Sequence, residues 1–161
     1  MCGFVSIVNT SLGKQALFDI IGQLKKIHYH RGPDEIKELH KSKFSILFRR
    51  LAIIDLSKNA SQPFLSDDGL ISLVFNGEIY NYIELKQELK KKKIHFKTKS
   101  DTEVLLKSYQ VWGVDFIKKI RGMFSILIFD EKKNKFLCFR DHLGQKPLYY
   151  SKFSHGIIFS S

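Results

Sequence analysis

A chain of 161 residues is about one domain long and buries on the order of 70% of its unfolded surface, so neither disulfides nor a structural metal is needed to hold it. Its 43% hydrophobic content, with 14 Phe and 6 Tyr, excludes a disordered chain, and no run of 18 apolar residues is available to cross a membrane. The net charge of +11 raises nucleic acid as a partner, yet the densest run, Lys90 to Lys93, closes a helical pattern where cations suit the helix dipole. No aromatic-studded strand pair is present to stack bases. The expectation is therefore a cytoplasmic protein without a nucleic-acid or membrane partner.

The chain opens Met1-Cys2-Gly3-Phe4. Removal of Met1 would put a thiol and a free α-amine on one carbon, and the two titrate near ~8.5 and ~8, close enough to exchange a proton near neutral pH. Enzymes with an N-terminal nucleophile use this pairing to attack carbonyls. The other cysteine, Cys138, lies in the alternating run Lys135 to Arg140 and reads as a strand residue. Two cysteines are too few for a disulfide scaffold, and His28 and His30 lack further ligands at metal spacing, so no metal is expected.

Phe4 to Val8 alternates as a strand, ending at Asn9-Thr10-Ser11, and Lys14 to about His28 has the spacing of a helix with one buried stripe. Arg31-Gly32-Pro33-Asp34 is a turn by composition. Phe44 to Phe48 and Leu51 to Ile54, parted by Arg49-Arg50, read as two strands or one bent strand. A polar loop and a turn at Asp67-Asp68-Gly69 follow. Leu70 to Phe75 is a buried strand that ends in Asn76-Gly77-Glu78, where Asn-Gly is a turn signal. Asn81 and Ser100, each with a glutamate three residues on, have capping-box spacing and open two helices, the second carrying Val104, Leu105, Tyr109 and Trp112 inward. A short helical piece follows at Phe116 to Ile120. Met123 to Phe129 pairs with Phe136 to Phe139, and Pro147 to Tyr150 with Ile157 to Phe159. Strands clustered in this way predict an α+β protein of antiparallel sheets with helices on their outer faces. The abrupt stop at Phe159-Ser160-Ser161 suggests a fragment.

Six motifs stand in order: Met1-Cys2-Gly3, His30 to Asp34, Arg50 to Asp55, Asn76 to Asn81, Ser100 to Glu103, and Arg140-Asp141-His142-Leu143-Gly144 to Tyr150. Together they resemble, over residues 1–161, the N-terminal glutaminase domain of glutamine-using asparagine synthetases, a branch of the class II glutamine amidotransferases. Phe75 before the Asn-Gly and Glu78-Ile79-Tyr80-Asn81 after it carry the branch. Phe48 departs from a histidine that many members have two residues ahead of the substrate arginine.

The resemblance implies a four-layer αββα sandwich of the N-terminal-nucleophile (Ntn) hydrolase type. It implies that Cys2 attacks the side-chain amide of L-glutamine, and that the Asn76 side chain and the Gly77 N–H form the oxyanion hole. Arg50 would grip the α-carboxylate, Asp101 and Glu78 would receive the α-ammonium, and Arg31 and Asp34 would support the loop beside the nucleophile. Arg140 to Tyr150 would serve as scaffold or domain contact. No cofactor is implied for this domain; ATP and Mg belong to a synthetase domain absent here, whose Ser-Gly-Gly type loop has no counterpart in the sequence. The family also allows a homodimer of the longer protein. The alternatives are an amidotransferase domain that feeds another acceptor, such as a sugar acid or a peptide, and a silent binding module that kept the fold.

Overall fold

A computed structural model of the chain describes residues 2–8 and 11–161, with only the backbone described at position 14. The elements run β1 (Gly3–Val8), α1 (Lys14–Ile27), β2 (Glu35–His40), β3 (Phe44–Arg50), β4 (Phe64–Leu65), β5 (Ile71–Ile79), α2 (Tyr82–Lys91), α3 (Asp101–Trp112), β6 (Gly122–Asp130), β7 (Lys135–Arg140), β8 (Tyr149–Phe153) and β9 (Gly156–Ser160). One sheet has the order β2-β3-β1-β9-β8 and the other β4-β5-β6-β7, and every neighbouring pair is antiparallel.

Strand periodicity assigns each face. In β1, Phe4 and Val8 point into the space between the sheets while Val5 and Ile7 point to α1, because successive side chains alternate. Phe44, Ile46 and Phe48 of β3 meet Val74, Leu127 and Phe129 across that space, and the Phe44 and Phe129 rings stack at 3.9 Å. On the outer face of the first sheet, Ile21 of α1 packs on Val5, Ile7 and Leu47. On the outer face of the second, α2 and α3 bury Leu85, Leu89, Val104, Leu105 and Tyr109 against Leu73, Phe75, Ile126 and Ile128. Three apolar interfaces separate four layers, which is the expected αββα sandwich. Phe48, where many relatives of the motif have histidine, is 1% exposed in the layer between the sheets.

Three local expectations are corrected, and one element is added. Residues 35–40, left unassigned from the sequence, form β2, a half-exposed edge strand without apolar alternation. Leu51 to Ile54 is no strand: the Leu51 N–H donates to Cys2 Sγ and the Ala52 N–H to Asp34 Oδ2, so the chain leaves the sheet after Arg50. Asn76-Gly77 is no turn, since β5 runs on to Ile79 with Asn76 opposite Ser125 and Gly77 opposite Phe124. Asn81 makes no cap with its side chain; its amide donates to Lys119 O and accepts from the Arg121 N–H. Ser100 does cap α3, accepting the Thr102 N–H at 3.1 Å, while Glu103 turns back to the Lys97 and Thr98 N–H groups. Asn9-Thr10, the expected end of β1, lies outside the described residues.

The interface between the sheets sets the expected stability pattern. Leu127→Ala should cost about 2–5 kcal/mol in urea unfolding because Leu127 is fully buried, whereas Leu56→Ala, at 76% exposed, should stay within about 0.5 kcal/mol.

Candidate active site

Cys2 stands at the open end of β1, in a cleft lined by Arg50 to Asp55, Gln62, Asn76 to Glu78, Ser100 to Thr102 and Lys146. Its thiol exchanges contacts with one residue: the Leu51 N–H donates to Sγ at 3.3 Å and Sγ reaches the Leu51 carbonyl at 3.4 Å. Burial pushes the Cys2 thiol up, while the Leu51 N–H and the charge of Arg50 pull it down and Asp101 adds to the rise. The main chain of Cys2 is fixed as well. Arg31 donates through Nη2 to the Cys2 carbonyl at 3.1 Å and through Nη1 to Ser161 O at 2.9 Å. With its amide oriented to satisfy its neighbours, Asn76 donates to the same Cys2 carbonyl at 2.9 Å and accepts from Arg31 at 3.2 Å. Gly3 is required there, since a Cβ would lie 2.6 Å from Arg31 Cβ.

The opposite wall is an exposed edge of β5. β4 pairs only with Ser72 and Leu73, so beyond them, among the described residues, β5 has no neighbouring strand on that side. Alternation sends the N–H groups of Phe75, Gly77 and Ile79 to this edge. The Phe75 N–H is taken by Gln62 Oε1 at 2.6 Å and the Ile79 N–H by Asp101 Oδ2 at 3.2 Å. Between them the Gly77 N–H faces the cleft that Cys2 shares. Close strand approach accounts for the glycine: its φ is +155°, and a Cβ would lie 2.1 Å from Met123 O.

Asp101 is 5% exposed, and burial drives its carboxyl from 3.8 up to about 6 despite the N–H groups of Ile79 and Thr102. Arg49 and Arg50 leave β3 on opposite sides. Arg49 donates to Lys25 O near the end of α1 at 2.7 Å, and Arg50 enters the cleft. There Arg50 Nη1 donates to Ser57 O at 3.0 Å and Glu35 Oε2 at 3.3 Å, and Nη2 donates to Asp55 O. Three of its five N–H bonds thus hold it in place. Asp34 accepts the Ala52 N–H at 2.8 Å and so ties down the loop that follows Arg50. Glu78 lines the same cleft.

The structure therefore brings Cys2, Asn76, Gly77, Arg50, Asp101 and Glu78 around one cleft, with Arg31 and Asp34 behind it. Gln62, Thr102, Leu51 and Lys146 also line it and were not singled out from the sequence. Lys146 belongs to the Arg140 to Tyr150 motif, read as scaffold. That motif folds around Asp141, which accepts the N–H groups of Phe124, Gln145 and Lys146. Among the described residues no three His, Cys, Asp or Glu side chains are grouped to hold a metal ion.

Residues 1–161 match the family model described as "Glutamine amidotransferase domain", and the chain belongs to that family. It is 44% identical over 163 residues to asparagine synthetase [glutamine-hydrolyzing] 2 of Bacillus subtilis (strain 168), a match that covers 100% of this chain and 21% of that protein. Asparagine synthetase [glutamine-hydrolyzing] 1 of the same organism is 41% identical, with 100% and 26% covered. A putative asparagine synthetase [glutamine-hydrolyzing] 2 of Methanocaldococcus jannaschii is 39% identical over 179 residues, with 100% and 34% covered. The chain thus spans between about a fifth and a third of these relatives. Its fold is that of an Ntn amidotransferase. The solved glutamine phosphoribosylpyrophosphate amidotransferase of B. subtilis superposes with a TM-score of 0.76 at 22% identity, over 99% of this chain and 41% of that one.

Gly77→Ala should lower stability by at least about 2 kcal/mol in urea unfolding, through backbone collision at Met123 O. Gly22→Ala, in the middle of α1 with open space around it, should instead be neutral or stabilising by up to about 1 kcal/mol.

Proposed function

We propose that this chain is the glutamine-hydrolysing part of an asparagine synthetase, releasing ammonia from L-glutamine for transfer to activated aspartate. The observation that carries this reading is the convergence on one cleft of the Cys2 thiol, the bare Gly77 N–H and two opposite charges, Arg50 and Asp101. Opposite charges lining one cleft suit a free amino acid, which has a carboxylate and an ammonium to be read at once.

The proposed chemistry begins once Met1, which lies outside the described residues, is removed. The Cys2 sulfur adds to the side-chain carbonyl carbon of glutamine while its proton passes to the α-amine. The carbonyl oxygen becomes an oxyanion, received by the Gly77 N–H and the Asn76 amide; one such donor is worth about 10²- to 10³-fold in rate. One Asn76 N–H already holds the Cys2 carbonyl, so the same amide would orient the nucleophile and stabilise its product. Collapse breaks the carbon–nitrogen bond, and the α-ammonium returns its proton to the departing ammonia. Water then cleaves the γ-glutamyl thioester, giving glutamate and the free thiol.

Arg50 would bind the α-carboxylate through Nε and the remaining Nη2 hydrogen, a bidentate edge left by its three internal bonds. Asp101, with Glu78 beside it, would take the α-ammonium. The acceptor half of the reaction, with ATP and Mg, is assigned to the additional length of the relatives. Exposed Ile53, Ile54 and Leu56 after the nucleophile's loop partner, and exposed Leu143, support a covering domain at the cleft. The cytoplasm, where such biosynthesis takes place, is the proposed location.

Four outcomes follow. Purified protein whose intact mass lacks methionine should release glutamate from L-glutamine, and Cys2→Ala should abolish release; release that survives Cys2→Ala would refute the mechanism. Because the raised Asp101 must be ionised to hold an ammonium, the apparent KM for glutamine should climb as pH falls through about 6, nearing tenfold for each further pH unit. Asp101→Asn should remove that pH dependence and raise KM. The same replacement should raise the urea midpoint at pH 7: a carboxyl whose pKa is higher folded than unfolded loses stability as pH rises through that interval, and asparagine bears no charge to bury.

A further inference from the structure

Gln62 sits just ahead of Pro63 in the segment that leads into β4, and the residue is 6% exposed. Both ends of its amide are committed. Oε1 accepts the Phe75 N–H at 2.6 Å, and Nε2 donates to Thr102 Oγ1 at 3.3 Å. The first bond replaces what β4 does not supply, because β4 begins only at Phe64, opposite Leu73. The second reaches the first turn of α3, where Thr102 also donates its N–H to the Ser100 cap. Asp101, next to Thr102, closes the other side by accepting the Ile79 N–H. Asn76, Gly77 and Glu78 are thereby bracketed between two side-chain bonds, both anchored on the same turn of α3.

We propose that Gln62 is a positioning residue for glutamine hydrolysis. By tying the Phe75 N–H of β5 to the Thr102 hydroxyl of α3, it sets the distance between the oxyanion-binding edge at Gly77 and the carboxylate of Asp101 that receives the α-ammonium. The inference rests on the proposed glutaminase reading. It assigns no chemistry to Gln62 itself: both ends of the amide are taken by Phe75 and Thr102, and it acts through the two elements it joins. A bond at one end only would leave the edge tied to the helix turn through Asp101 and Ile79 but not at Phe75, so the Phe75 end of the edge could shift against the turn. A substrate that must span both would then lose alignment and affinity together.

Two variants separate this from a merely structural role. Gln62→Met keeps the length of the side chain and removes both bonds. It should lower kcat and raise KM for glutamine, with kcat/KM down at least about tenfold, because the lost alignment affects the transition state more than binding alone. Alkylation of Cys2 by iodoacetamide without glutamine should keep its wild-type rate, since Cys2 is held by Leu51, Arg31 and Asn76 instead. Gln62→Glu keeps an acceptor for Phe75 and adds a negative charge near the Asp101 turn. The other ionisable groups around Asp101 in the cleft, Cys2, Arg50, Asp55, Glu78 and Lys146, are unchanged. The pH below which glutamine affinity fades should therefore move upward by about half a unit or more.

Wild-type kcat and KM, within twofold, in Gln62→Met would overturn the proposal. So would Cys2 alkylation falling in step with activity, which marks general damage. If Gln62→Met does not fold, Gln62→Glu decides alone, and an unmoved pH profile contradicts the inference. Wild-type protein that neither releases glutamate nor has Cys2 shielded by glutamine would overturn the glutaminase reading itself, and with it this one.

Discussion

Backbone N–H groups at a strand edge need partners, and on β5 that need begins at Phe75, where the two-residue β4 has already ended. A longer β4 would satisfy the edge and close the cleft. The short one leaves three N–H groups in a row, two taken by the side chains of Gln62 and Asp101 and the middle one turned to the space beside Cys2. Buried donors without acceptors are costly, by about 1–3 kcal/mol each. Both side chains satisfy these donors, and the shape of the edge beside Cys2 is a consequence of how they do so.

Placement of the nucleophile follows a similar logic on the facing sheet. The paired part of β1 against β9 begins at Val5, so the main chain of Cys2 has no β9 partner. Arg31 supplies the missing contacts, reaching Ser161 O and Cys2 O with one guanidinium, and Asn76 of the second sheet closes on the same carbonyl. The thiol and the Gly77 edge belong to different sheets. What sets their separation is the apolar packing of Phe4, Phe48 and Val74 between them, together with this polar clasp at the open end. Asp101 is the element held at a cost, since its charge is buried and its carboxyl is pushed to about 6. An ammonium ligand would relieve that cost, in keeping with the proposed binding of a free amino acid.

The layers were legible because β7 alternates, β1 and β6 are mostly apolar runs buried on both faces, and α1 keeps one apolar stripe. Ser100-Asp101 was legible because capping is a local property. Asn76-Gly77 was misread by the same local logic: the pair favours a turn, yet pairing with Phe124 and Ser125 overrides it, and the glycine answers a collision at Met123 O that no local pattern shows. Charge hid β2, an edge strand that needs little apolar content. Gln62 was invisible because its task depends on where β4 ends, a fact of topology. The motif residues Cys2, Arg50 and Asp101 could be named from the resemblance, but the three internal bonds that orient Arg50 come from Glu35, Asp55 and Ser57, and only the folded loop assembles them.

The role of the bare edge of β5 is tested most directly by amide hydrogen exchange, followed by NMR at Phe75, Gly77 and Ile79. Exchange should be slow at Phe75 and Ile79 and fast at Gly77 in the free protein, and should slow at Gly77 when glutamine or a covalent thioester mimic occupies Cys2. Strong protection of Gly77 in the free protein, or no change there on occupation of Cys2, would contradict it.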